Sequence, residues 1–336
     1  MIRIVIVGLN FGRHIVDDLA RGQPGVQLAG VCDLDRAKVE ASAAQHGVRA
    51  YTSLDAVLSD PSVDAVGLFT GPGGRGALIE RCVGAGKHVM TTKPFELDAD
   101  AGARALAAAR AVGRVVHLNS PGPRPSDDLA IIARWRGEHD LGRLVAAQAE
   151  VWAHYREQAD GSWYDDPVRC PVAPLYRLGI YLLNDLLSLG GPVARVQVET
   201  SRLFTGRPTP DQAQVGLRFA SGALGHIFAS FCIEDGDHYR NAMTLRFAHG
   251  TIYRNVGAQR RGSACELALV RGDGKRREVI EAVAANSSGH YDWPAFAADA
   301  ASRTPLAEDV AAVALDGIRV MAAIARSERD QAPVVL

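Results

Sequence analysis

Cysteine is scarce and scattered. The five residues Cys32, Cys82, Cys170, Cys232 and Cys265 are odd in number, and no two stand in C-x-x-C spacing. That argues against a zinc ribbon, a thioredoxin-like motif and a disulfide framework, and it suits a reducing cytosol, so a cytoplasmic location is expected. Charge of one sign is lacking as well: 37 basic residues meet 38 acidic ones, with no block of either. Neither nucleic acid nor a membrane surface is therefore an expected partner. No apolar run reaches membrane-spanning length. The opening Ile2–Val7 meets Gly8 too soon to form a secretory leader. Histidine pairs with H-E-x-x-H or similar spacing are missing, so no metal is expected; His154, His226, His238 and His249 read as surface or satisfied sheet residues. What remains is a chain of 336 residues, 47% of them hydrophobic, enough to build two domains with a substantial core.

Ile2–Val7 is a nearly continuous apolar run that reads as a buried parallel strand. Gly8-Leu9-Asn10-Phe11-Gly12-Arg13 follows, and then an amphipathic helix to about Arg21. Strand, glycine turn and helix place backbone N–H groups and a helix N-terminus under a pyrophosphate. The spacing departs from G-x-G-x-x-G: Asn10 takes the second glycine's place, and Gly12 comes one residue early. A tight turn without a ligand is the plainer alternative. The next strand, Val26–Cys32, ends at Asp33, whose carboxylate would accept from an adenosine ribose and repel a 2′-phosphate. NAD is the expected cofactor, and the nearby Arg36 keeps NADP open. Asp33 as a helix cap is compatible with the ribose role.

The units then repeat. Val63–Phe69 is an apolar strand, and Thr70-Gly71-Pro72 lies in the loop at its carboxyl end, where a nicotinamide would be covered. Arg75–Ala85 is a helix, and His88–Thr91 a short strand. That strand stops at Thr92-Lys93-Pro94. Proline fixes its own φ and pushes the preceding residue out of the helical region, which holds Lys93 extended at a strand tip. Ligands in open α/β sheets bind beyond the carboxyl ends of the strands, so Lys93 faces a cofactor unless it is merely a surface lysine. After the helix Asp98–Val112, the strand Val115–Leu118 closes the sheet at Asn119. Strands alternating with helices specify a parallel, doubly wound sheet.

Ser120-Pro121-Gly122-Pro123-Arg124-Pro125 is a linker by composition, which puts the expected domains at 1–120 and 121–336. In the second, the loop 160–174 carries Trp163, and the helix Leu175–Leu189 carries Arg177, Tyr181, Asn184 and Asp185 at three- and four-residue steps. These share one side of a helix, and that stripe reads as facing a cleft, with a solvated face as the alternative. Beyond it, Ala194–Phe204, Asp211–Phe219, Ala223–Cys232, Asn241–Phe247, Thr251–Arg254, Cys265–Val270 and Arg276–Ile280 are strands joined in part by tight turns such as Gly272-Asp273-Gly274. They predict an α+β domain with a large, mostly antiparallel sheet. Its uncovered face would serve a homodimer or homotetramer. Two helices, Tyr291–Ser302 and Ala307–Arg326, end the chain.

Together, the opening fingerprint, Val31-Cys32-Asp33, Gly86-Lys87-His88-Val89 leading to Lys93-Pro94, the Trp163 loop and the Gly179-Ile180-Tyr181 helix resemble the Gfo/Idh/MocA oxidoreductases. The resemblance implies a Rossmann domain followed by the α+β domain, with cofactor contacts from Gly8, Asn10, Phe11, Gly12, Asp33, Arg36, Thr70, Gly71, Pro72, Thr92, Lys93, Pro94 and Asn119. It makes Lys93 and Tyr181 catalytic, in a tyrosine branch like glucose–fructose oxidoreductase, and gives Trp163, Arg177 and Asn184 to a small-molecule substrate. The implied reaction is NAD(P)-dependent hydride transfer at a CH–OH group of a sugar, sugar acid or cyclitol. A non-enzymatic dinucleotide sensor and an NAD-dependent glycosidase are the alternatives. Thr92 departs from the family's glutamate. Arg177 departs from an aspartate, and its charge needs a partner: Asp165, Asp166 or Asp185 internally, or an acidic substrate.

Overall fold

The residues described in the computed structural model are 1–236, 239–257, 265–272 and 276–336. His238 and the Asp273-Gly274 part of the expected turn lie outside them. By internal contacts the chain divides into two units, 1–123 with 291–315 and 124–290 with 316–336.

In the first unit, Ile2–Val7 forms β1 at the centre of a six-stranded sheet. The other strands are β2 (Val26–Cys32), β3 (Arg49–Tyr51), β4 (Ala65–Leu68), β5 (His88–Thr91) and β6 (Val116–Leu118), and all neighbours pair in parallel. The order is β3-β2-β1-β4-β5-β6. This is the doubly wound order in which a dinucleotide lies across the point where the strand sequence reverses, here between β1 and β4. The connecting helices are α1 (Leu9–Ala20), α2 (Arg36–His46), α3 (Leu54–Ser59), α4 (Arg75–Gly84) and α5 (Ala99–Ala111). Their starts are legible in the chain: Asp35, Ser53 and Asp98 each accept from first-turn N–H groups.

The split at residue 120 assigns all later residues to the second domain, yet 291–315 groups with the first unit. Trp293 and Phe296, at 1% and 0% exposure, sit in the same core cluster as Ile4, Ile6, Val31, Phe69 and Met90. A buried Phe-sized side chain contributes about 1.5–3 kcal/mol, so two rings suffice to fix where this stretch packs.

Burial also sets an acid sensitivity in this unit. His88 is 8% exposed, and its Nδ1 accepts the Val115 N–H at 3.1 Å. Burial, helped by the charges of Arg114 and Arg303, pushes its imidazole down to about 4. The unfolded chain takes up that proton near pH 6.5, so stability is complete above about 6.5 and is lost as pH falls toward 4. The loss amounts to about 3 kcal/mol at most. Thermal midpoints across this window are expected to fall less in His88→Gln, which keeps an acceptor but does not titrate. Identical acid limbs would remove His88 as the cause.

In the second unit the elements are α6 (Asp127–Glu138), β7 (Leu144–Ala153), α7 (Ile180–Gly190), β8 (Val193–Ser201), β9 (Gln212–Phe219), β10 (Leu224–Ser230), β11 (Tyr239–Phe247), β12 (Gly250–Arg254), β13 (Cys265–Gly272), β14 (Arg277–Ala284) and β15 (Val334–Val335). The strands make one sheet ordered β14-β13-β12-β11-β7-β10-β9-β8-β15. β10 pairs with β7 in parallel and the other neighbours pair antiparallel. The strand expected to reach Phe204 stops at Ser201, because the buried Asp211 carboxylate accepts the N–H groups of Leu203, Phe204 and Thr205 and curls the backbone out of the ladder. Two further helices close the chain: α8 (Trp293–Ser302) in the first unit, and α9 (Glu308–Asp330), whose residues from Asp316 onward group with the second. No helix among the described residues is long and apolar enough to cross a membrane.

Candidate active site

Gly8 joins β1 to α1 with φ +93°, and a Cβ there would lie 2.9 Å from the Phe69 carbonyl group. Only glycine fits this position. Having no side chain, Gly8 leaves the first turn of α1 without a cap from the N-cap position. Gly12 faces the sheet: a Cβ would meet Ile6 at 3.1 Å and Phe69 at 3.3 Å, so this early glycine serves close helix–sheet packing. Phe11 is 47% exposed, with its ring 6.1 Å from that of Phe69.

At the end of β2, Asp33 accepts from the Leu9 N–H and, at 2.9 Å, from the Asp35 N–H. Its carboxylate is thereby fixed beside the glycine turn. Asn10 accepts from Lys38 Nζ at 2.8 Å, and Arg36 is turned to Glu40 at 2.7 Å.

At the ends of β4 to β6 the expected residues form one cluster. The Lys93–Pro94 peptide is cis. The Lys93 N–H donates to Asn119 Oδ1 at 3.0 Å, and Thr92 Oγ1 lies 3.4 Å from the same oxygen. Asn119 is 2% exposed, so it orders the lysine's backbone. The Thr70-Gly71-Pro72 loop belongs to the same cluster through Arg75, whose guanidinium donates to the carbonyls of Thr70, Thr92 and Pro94.

In the second unit Tyr181 lies in α7, with its ring against Gly289. A Cβ on Gly289 would come within 2.8 Å of Tyr181 Cε1, so that position too tolerates only glycine. The segment carrying Gly289 is tethered: Asn286 exchanges two hydrogen bonds with Asp127, and Ser288 Oγ donates to Asp185. Asp185 is buried with Asp128 around the equally buried Arg254, at 3.1 and 2.7 Å. Burial, opposed by the charge of Arg254, holds the Asp185 carboxyl above its ordinary value.

Two members of the stripe expected along this helix are buried. Asn184 and Asp185 are each 3% exposed, and Asn184 Oδ1 is pressed against Gly317. Both are buried, so the solvated-face alternative fails for them. Leu175–Gly179 winds as a π-helix before α7 begins. Its wider turn changes the angular offset of Arg177 from Tyr181, Asn184 and Asp185, which all lie within α7.

Arg177 is also held by a partner the sequence did not suggest. Its two terminal nitrogens donate to Glu157 at 2.6 and 3.0 Å, a bidentate fork. Its guanidinium stacks 4.2 Å from the Tyr155 ring centre, with Tyr164 and Phe231 at 5.3 and 5.6 Å. Burial works to raise the Glu157 carboxyl, but the Arg177 hydrogen bond and the charges of Arg177 and Arg207 outweigh it and hold it below its ordinary value. Asp165 pairs with Arg207, and Asp185 with Arg254. Trp163 lies in the turn Trp163–Asp165, its ring 4.2 Å from that of Tyr164.

Arg75, Glu157, Arg254 and Gly289 escaped sequence reasoning. None lies in a motif, and each is defined by partners distant in the chain.

The family model described as an oxidoreductase family with an NAD-binding Rossmann fold matches residues 2–120, and that family's C-terminal domain matches residues 129–253. The chain belongs to the Gfo/Idh/MocA oxidoreductase family. Two uncharacterized oxidoreductases are each 25% identical to it. The one from Schizosaccharomyces pombe matches over 173 residues, 51% of this chain and 45% of the relative. The other, YdgJ of Escherichia coli, matches over 221 residues, 62% and 60%. The chain thus spans about half of the length of these curated relatives. Among solved structures, levoglucosan dehydrogenase with NADH and levoglucosan superposes with a TM-score of 0.79 at 16% identity, over 100% of this chain and 98% of that one. GenD2 from gentamicin A biosynthesis, in complex with NAD, gives 0.75 at 18%, covering 100% and 96%. An NAD-binding oxidoreductase from Klebsiella pneumoniae gives 0.75 at 21%, covering 99% and 98%. At these identities the likeness is one of fold.

As a Gfo/Idh/MocA Rossmann domain, the first unit binds NAD. Its residues fit that cofactor: α1 opens with first-turn N–H groups uncapped by Gly8, which suits a pyrophosphate, and Asp33 presents a carboxylate suited to ribose hydroxyls.

Proposed function

We propose that this oxidoreductase is a dehydrogenase of a neutral sugar or cyclitol, acting on a secondary CH–OH group with NAD. The observation that carries the reading is Lys93, placed at the carboxyl end of β5 in an NAD-binding sheet and held there by Asn119. When bound, NAD supplies the hydride acceptor. The chain's own residues do the rest. Tyr181 takes the hydroxyl proton as the carbonyl forms and returns it in the reverse direction. The Lys93 ammonium donates to the substrate oxygen and offsets its developing charge. Trp163 offers an aromatic face for the apolar side of a sugar ring.

The preference for a neutral substrate rests on Arg177. An internal carboxylate and an acidic substrate were the two expected partners of that guanidinium. Glu157 now fills both arms of the fork, which removes the reason to prefer an acid. Levoglucosan dehydrogenase and GenD2 support the carbohydrate reading as relatives in fold.

Screening neutral sugars, cyclitols and sugar acids for absorbance change at the reduced nicotinamide band tests this. Neutral compounds are expected to turn over, and NAD to be preferred to NADP, because Asp33 would face a 2′-phosphate while Arg36 is engaged by Glu40. Turnover confined to sugar acids would sink the neutral assignment. A preference for NADP would sink the role given to Asp33.

A further inference from the structure

Arg75 is the first residue of α4 and is 1% exposed. A guanidinium buried so deeply is retained only where it is well paired. Its partners here are main-chain carbonyls from two separate loops. Nη1 donates to Thr92 at 2.7 Å and to Pro94 at 2.6 Å, and Nη2 donates to Thr70. The carbonyls flanking Lys93 on both sides are therefore tied to one rigid group, and that group is tied in turn to the loop after β4. The neighbouring Glu96, 2% exposed, accepts the N–H groups of Gly74 and Gly76 at 3.2 and 2.7 Å and anchors the start of α4 beneath the guanidinium. Asn119 completes the frame by taking the Lys93 N–H.

In a sheet ordered β3-β2-β1-β4-β5-β6, the Asp33 side of the switch point receives the adenosine half of the dinucleotide. The β4 and β5 ends then receive the nicotinamide half. Arg75 links the two loops on that side.

We propose that Arg75 is the positioning residue of the nicotinamide subsite, clasping the Thr70 loop to the Thr92-Lys93-Pro94 turn so that the ring meets a preformed wall. The proposal rests on the reading that the β4 and β5 ends hold the nicotinamide. It gives the residue a role in cofactor geometry separable from a role in stability, because half of the cofactor never reaches the clasp.

The test compares NADH with ADP-ribose, which lacks the nicotinamide ring, on the intact protein by calorimetry and nicotinamide fluorescence. Wild type is expected to bind NADH more tightly than ADP-ribose and to enhance its fluorescence. In Arg75→Gln, NADH affinity should fall at least about tenfold with loss of the enhancement, while ADP-ribose affinity stays within about twofold. Arg75→Lys keeps the charge without the fork, so it should restore part of the NADH affinity; it also serves as the milder variant if Gln prevents folding. Parallel weakening of both ligands would show a general structural role and overturn the proposal, as would unchanged NADH affinity. Equal binding of both ligands to wild type would instead overturn the underlying assignment of the nicotinamide half.

Discussion

Replacing Tyr181 by Phe is expected to lower kcat by roughly 10²–10⁴-fold, the contribution typical of a positioned acid–base group, with little change in NAD affinity. The substitution is a clean one. The Tyr181 ring rests on the backbone at Gly289, where nothing larger than hydrogen fits, so a phenylalanine ring can occupy the same place and only the hydroxyl is lost. Lys93→Ala should cost turnover on a similar scale by removing the cation that offsets charge on the substrate oxygen. Its backbone is fixed through Asn119 and the carbonyls flanking it, which do not depend on the lysine side chain. Initial rates and cofactor titrations on the two variants decide the matter. Near-normal turnover in Tyr181→Phe would take that residue out of the mechanism. A drop explained wholly by weaker cofactor binding would reassign Lys93 to a binding role.

Arg254→Met should destabilise the second unit by about 3–5 kcal/mol, the cost of breaking a buried ion pair from one side. Asp128 and Asp185, at 0% and 3% exposure, both depend on the one guanidinium, at 2.7 and 3.1 Å. Without it two carboxylates would face each other out of water. The deficit should narrow as pH falls, because burial already raises the Asp185 carboxyl and protonation would relieve the repulsion. Adding Asp128→Asn to the methionine variant should recover part of the loss for the same reason. Urea denaturation across pH measures all three. A loss below about 1 kcal/mol would mean that the carboxylates are satisfied in other ways. Because Asp185 also holds Ser288, next to Gly289, the methionine variant should loosen the contact that sets the Tyr181 ring.

The chain's local patterns determined the first sheet. An apolar run ending in Gly8, a second ending in Asp33 and a third ending before Lys93-Pro94 carry period, breaker and cap within a few residues of one another. Such short-range features are where sequence and backbone preference speak together. The same holds for most of the antiparallel strands of the second unit, which alternate along their described lengths. The Gfo/Idh/MocA resemblance was readable from those motifs, and the family matches bear it out.

Tertiary structure decided the rest, because the deciding partners are far apart in the chain. Arg177 looked unpaired on its own helix, and its carboxylate comes from Glu157, twenty residues earlier, within a shell of aromatic rings. Asn184 and Asp185 looked like part of an open polar stripe, and tertiary packing buries both. Trp293 and Phe296 follow the antiparallel sheet in sequence but bury their rings in the core of the first. Arg75 looks like an ordinary surface arginine beside two glycines, and only the return of β4 and β5 to neighbouring positions brings three carbonyls to it. Hydrophobic period and turn chemistry are properties of neighbours in sequence. The pairing of a buried charge is a property of neighbours in space, and a single sequence does not encode it locally.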